Sequence, residues 1–162
     1  MKLLDRKSNI NTFLVFIILI FSSNSTSSNS ESKKNFFLHG GYTFESFPGQ
    51  KTAAVYVSAF NYTNQDILIE SISTDIALIS EIHDIKKDGN IMKMFKVKNL
   101  KIKANDSFFF RPGATHIMLK KLQKELEDGQ EFEIKFHLNN SKTVGINIKV
   151  LKSSLRSLNN GI

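Results

Sequence analysis

From residue 52 onward, apolar and polar positions alternate in short bursts. In EFEIKFHLN (131–139), Phe132, Ile134, Phe136 and Leu138 alternate with Glu131, Glu133, Lys135 and His137. A period of two sends one set to a buried face and the other to water, which predicts a half-buried strand. TVGINIKVL (143–151) repeats the pattern, with Val144, Ile146, Ile148 and Val150 on one side. Further short runs of β-branched and aromatic residues occupy 52–62, 66–72, 77–83, 91–97 and 107–112. Turn formers separate them in TNQD, KKDGN, KAND, RPG, EDGQ and NNSK. Only LKKLQKELEDG (119–129) has room for a helical turn or two. Many short strands at near-regular spacing, with no internal repeat, predict an all-β domain: an antiparallel β-sandwich or barrel.

The N-terminus has a different pattern. Lys2, Arg6 and Lys7 precede an unbroken apolar run from Phe13 to Phe21, and small polar residues follow. Such a run is too short to span a bilayer and fits the apolar region of a secretory signal, with an uncleaved N-terminal anchor as the alternative reading. The expected organisation is therefore a signal peptide over 1–29, a linker over 30–35, the β-domain over 36–151 and a flexible tail over 152–162. Export to the periplasm follows, without stable membrane insertion once the signal is cleaved.

Composition adds limits. The 162 residues contain no cysteine, so disulfides, thiolate ligands and a lipid-bearing cysteine are excluded. The net charge is +7, and losing Lys2, Arg6, Lys7 and Asp5 with the leader leaves +5. These charges are scattered lysines among carboxylates. No Arg-rich helix or nucleic-acid motif is present, so nucleic acid is not an expected partner. No nucleophile–base arrangement or open three-ligand zinc set is visible either, and an enzyme is not expected.

The candidate chemistry lies in a few side chains. His137 falls on the polar side of its strand, and His39 has no evident partner. The remaining histidines each come with methionine: His83 with Met92 and Met94 across an expected loop, DIKKDGN (84–90), and His116 with Met118 just after Pro112-Gly113. Residues two apart on an extended chain point the same way, so His116 and Met118 project together, as do Met92 and Met94. Two imidazoles and two thioethers form a soft, uncharged donor set that suits Cu(I) better than Zn(II), Mg(II) or Ca(II). A blue-copper electron-transfer centre needs a thiolate that this chain lacks. Singly, each methionine is more often core filler than ligand.

The spacing of His83, Met94, His116 and Met118, H-x10-M-x21-H-x-M, resembles the signature of the periplasmic copper chaperones of the PCuAC family. The segments AAVYVSAFNYTNQDILIESIST, GNIMKMFKV and RPGATHIMLKKLQKELEDGQEFEIKFHL resemble that family too, and the likeness covers about residues 36–151. The resemblance implies a cupredoxin-like antiparallel β-sandwich holding one Cu(I) per chain at a shallow site between loops at one end. It implies His83, Met94, His116 and Met118 as ligands, and a monomer. The expected partners are a copper-accepting oxidase subunit, such as the CuA centre of cytochrome c oxidase, and a Sco-like thiol protein. The chain departs from the family in having no Trp, in carrying Asp84 and Ile85 where some relatives have a methionine, and in lacking His or Met over 152–162. No second copper site is therefore expected in the tail. Two other readings use the same residues: a copper storage or tolerance protein, and a secreted interaction module whose His and Met are merely packed.

Overall fold

The computed structural model describes residues 35–155 apart from Asn90. The expected signal peptide, nearly all of the linker and residues 156–162 of the expected tail lie outside the described residues. The described residues form ten strands: β1 (Phe36–Phe44), β2 (Thr52–Asn61), β3 (Ile67–Ser73), β4 (Ala77–Asp88), β5 (Ile91–Val97), β6 (Leu100–Ile102), β7 (Asp106–Phe110), β8 (His116–Leu122), β9 (Glu131–Leu138) and β10 (Thr143–Leu151). Their order is β5-β4-β8-β2-β1-β10-β9-β3-β6, with β7 also laddered to β2.

The alternating pattern did set the faces. Phe132, Ile134, Phe136 and Leu138 of β9 are all buried, as are Ile148 and Val150 of β10. With Val55, Val57, Ile69, Ile82, Ile117 and Leu119 they form one continuous core between the two layers of a β-sandwich. Full burial of each such side chain is worth about 1.5–3 kcal/mol. Strand β2 joins the layers. Its first half, Thr52–Val55, pairs with β8, and its second half, Val57–Asn61, pairs with β7. The chain therefore leaves β7, crosses the Arg111–Thr115 loop and rejoins the same side of β2 as β8. This crossing is what delivers His116 to the middle of a sheet.

Asn61 pins the far end of β2. It is fully buried, and its amide nitrogen donates to the carbonyls of Gln65, Ile102 and Lys103 at 2.8, 3.1 and 2.9 Å. Its side-chain oxygen accepts from the backbone N–H and hydroxyl of Thr63.

Four local expectations change. The 119–129 segment holds no helix: β8 runs on to Leu122, and Lys121 sits at φ 58°, outside helical geometry. Segment 84–88 is strand, not loop. It continues β4 in register with β5 from Ile82↔Val97 to Asp88↔Ile91, and only the tight turn containing Gly89 (φ 59°) reverses the chain. Strands β1 and β6 were not marked by the pattern. In β1, Gly40 (φ 68°) and Gly41 break the alternation at a bulge between His39 and Tyr42, and a Cβ at Gly41 would run into the Ile148 side chain. β6 has only three residues, too few for a period to register. Finally, β1 pairs with β10 in parallel, so the sheets are not purely antiparallel.

Candidate metal centre

The sheet formed by β5, β4, β8 and the start of β2 turns one face to the core and the other outward. Ile82 and Ile117 face in, opposite each other across β4 and β8. Their neighbours His83 and His116 face out and are also directly opposite. The imidazole centroids lie 6.2 Å apart with an interplanar angle of 63°. Period two then fixes the rest of the face: Glu81, His83 and Ile85 on β4, and His116, Met118 and Lys120 on β8.

Each ring is differently dressed. His116 is 4% exposed, and its Nδ1 lies 2.8 Å from the Ala114 carbonyl oxygen. A carbonyl can only accept, so Nδ1 carries the proton and Nε2 carries the lone pair. The Pro112-Gly113 turn places this carbonyl, with Gly113 at φ 72°. Nε2 of His83 is 3.0 Å from Glu81 Oε2. Nδ1 of His83 is buried and has no hydrogen-bond partner. A buried polar atom without a partner is unusual in a native fold and points to an absent ligand or ion.

Glu81 opposes Met118 across the ladder. Its carboxylate accepts from Lys120 Nζ at 2.6 Å, Lys96 Nζ at 2.8 Å and the His83 ring. These three donors, with Lys120 first, push its pKa down to about 2 against the burial that would raise it. The carboxylate is therefore ionised and anchored from two neighbouring strands. Sequence reasoning did not single out Glu81, although its place two residues before His83 is the signal that could have found it.

The methionines are placed unequally. Met118 shares the face of His116 and is half-buried, on the wall of a cavity of about 250 Å³ with Thr43, Thr52, Ala54 and Tyr56. Met94 opposes Ile85 on β5, so it lies on the same face but diagonal to His83 and two strands away from His116. It is 49% exposed. Met92 points the same way one pair further out and is 60% exposed. The structure thus brings His83, His116 and Met118 together, with Met94 at the outer margin. The group sits on a sheet face beside the Arg111–Thr115 loop, rather than between several loops as expected. His137 is elsewhere, 2.7 Å from Ser73 Oγ and 3.1 Å from Thr143 Oγ1, and His39 lies in β1.

Chemically, two neutral imidazole nitrogens and thioethers on an outward face make a soft set with no thiolate and no free carboxylate. Among the described residues, no cluster of three His, Cys, Asp or Glu has metal-binding geometry.

Residues 37–150 match the family model described as LpqE-like lipoprotein. An uncharacterized protein of Rickettsia prowazekii (strain Madrid E), RP573, is 33% identical over 99 residues, covering 60% of this chain and 55% of that protein. The chain thus spans about half the length of this curated relative. Among solved structures, the copper-bound PCuAC domain from PmoF2 superposes with a TM-score of 0.62 at 13% identity, covering 72% of this chain and 92% of that domain. CuI-DR1885 from Deinococcus radiodurans gives 0.58 at 22% identity, covering 70% and 76%. At these identities the superpositions establish the cupredoxin-like fold.

Proposed function

The chain belongs to the LpqE-like family, and from that premise we propose that it is an exported Cu(I)-binding metallochaperone rather than an enzyme. The observation that carries this reading is the His83–His116 pair, with one ring nitrogen buried and unpartnered and Met118 alongside. His83, His116 and Met118 form the inner ligands, and Met94 is the outer, most easily displaced one. Copper is cargo here. One Cu(I) is held by neutral donors near the surface and passed on by ligand exchange to a respiratory oxidase centre of the CuA type, with a Sco-like thiol protein as a second partner. Copper-bound structures among the fold's relatives support the choice of metal. Periplasmic location rests on the basic-then-apolar N-terminus and on the family's description as lipoproteins, although this sequence has no cysteine to carry a lipid.

The test is competition for Cu(I) against a chromophoric chelator, using purified protein and a Met94→Leu/Met118→Leu double variant. The expected outcome is one equivalent per chain in wild type, weakened in the variant by more than the roughly 10–100-fold typical of losing an outer partner. In the single variants, Met118→Leu should weaken binding more than Met94→Leu, because Met94 is diagonal to the pair and half exposed. Failure of wild type to compete, or equal binding by the double variant, would overturn the assignment in favour of a metal-free interaction module.

A further inference from the structure

We infer that Glu81 is a positioning residue that makes Nδ1, not Nε2, the copper-facing nitrogen of His83, so that one ion is held by Nδ1 of His83 and Nε2 of His116. The inference rests on the copper reading above and deepens it.

A neutral imidazole has one nitrogen that donates and one that accepts. Glu81 accepts at 3.0 Å from Nε2 of His83, and its carboxylate cannot donate while Lys96 and Lys120 hold it ionised at 2.8 and 2.6 Å. The Nε2 of His83 must therefore carry the proton. Its lone pair is then on Nδ1, the atom that is buried and partnerless. His116 has the opposite tautomer, because its Nδ1–H is fixed by Ala114. Two facing rings thus present unlike nitrogens, each with its other nitrogen bonded to an oxygen. This is the usual way an outer partner orients a metal-binding histidine and raises its basicity.

The anchoring also has a geometric consequence. Glu81 lies between Lys96 of β5 and Lys120 of β8, so the carboxylate that holds His83 is tied to the strands carrying Met94 and Met118.

The experiment is long-range 1H–15N correlation spectroscopy on the purified protein, metal-free and loaded with one equivalent of Cu(I), with wild type, Glu81→Gln and Glu81→Leu. The expected metal-free spectrum shows His83 as the Nε2–H tautomer and His116 as the Nδ1–H tautomer. On adding Cu(I), the large 15N changes should fall on Nδ1 of His83 and Nε2 of His116. Glu81→Leu should abolish the tautomer preference of His83 and weaken Cu(I) binding about 10–100-fold, with the oxygen acceptor of Glu81→Gln restoring part of both. The inference is overturned if His83 is the Nδ1–H tautomer in metal-free wild type. It is also overturned if copper shifts Nε2 of His83, or if Glu81→Leu changes neither tautomer nor affinity. A protein that takes up no Cu(I) would instead sink the proposed function and the ligating role with it, while the metal-free spectrum still reports whether Glu81 sets the tautomer.

Discussion

At the scale of single residues, the arrangement depends on how few groups are left without a partner. His116 is settled by one carbonyl, and Glu81 by three donors. Because the pKa of Glu81 falls from 4.5 to about 2 on folding, its pairing stabilises the native state above the unfolded value. That contribution declines as pH falls from about 4.5 toward 2, where the folded carboxyl takes up its proton. Metal-free protein should therefore lose thermal stability across that window, and Glu81→Gln should flatten the loss; melting curves at stepped pH check it. Much of this was readable beforehand. His83, Met94, His116 and Met118 stood out by type and spacing, and Glu81 lies on His83's face by simple alternation. The ring nitrogens each residue uses were not readable, because Ala114, Lys96 and Lys120 act through loop geometry and strand register.

At the scale of elements, two strands carry the site and their inner faces hold them in place. Ile117, between His116 and Met118, is fully buried and packs against the core on the opposite side of β8. Ile117→Ala should cost about 2–5 kcal/mol in unfolding free energy. It should also weaken the proposed Cu(I) binding by loosening both candidate ligands on that strand, which chelator competition would detect. The β4–β5 hairpin is the counterpart. Its pattern shows where the turn lies, but not that pairing continues from Ile82 to Asp88, because polar Asp84, Lys86 and Lys87 look like loop in isolation. They form strand because β5 supplies a complete partner ladder, and a backbone that finds its hydrogen bonds tolerates exposed side chains. The hairpin consequently leaves Ile91, Met92, Met94 and Phe95 about half exposed or more.

For the whole molecule, the charge around that hairpin bears on transfer. Lys86, Lys87, Lys93, Lys96 and Lys98 outnumber Glu81, Asp84 and Asp88, so if the proposed copper acceptor is acidic it should be steered toward the margin where Met94 lies. Replacing Lys86, Lys87 and Lys93 with Glu should slow copper transfer to an acidic acceptor by about 10–1000-fold at low salt and remove most of its salt dependence. Affinity for Cu(I) should hardly change; stopped-flow transfer at several ionic strengths separates the two. An unchanged transfer rate would remove the hairpin from the docking face.

The sequence by itself determined the all-β class, the inward sides of β9 and β10, and which imidazole and thioether side chains are on hand. Those properties are local: a period of two and the chemistry of a side chain survive without knowledge of the partners. Tertiary structure alone decided that β7 and β8 share one side of β2, that His83 meets His116 in register, and that Met94 falls a strand further out. It also gave Glu81 its two lysines. Pairing between residues tens of positions apart depends on which strand edges meet, and no single segment encodes that.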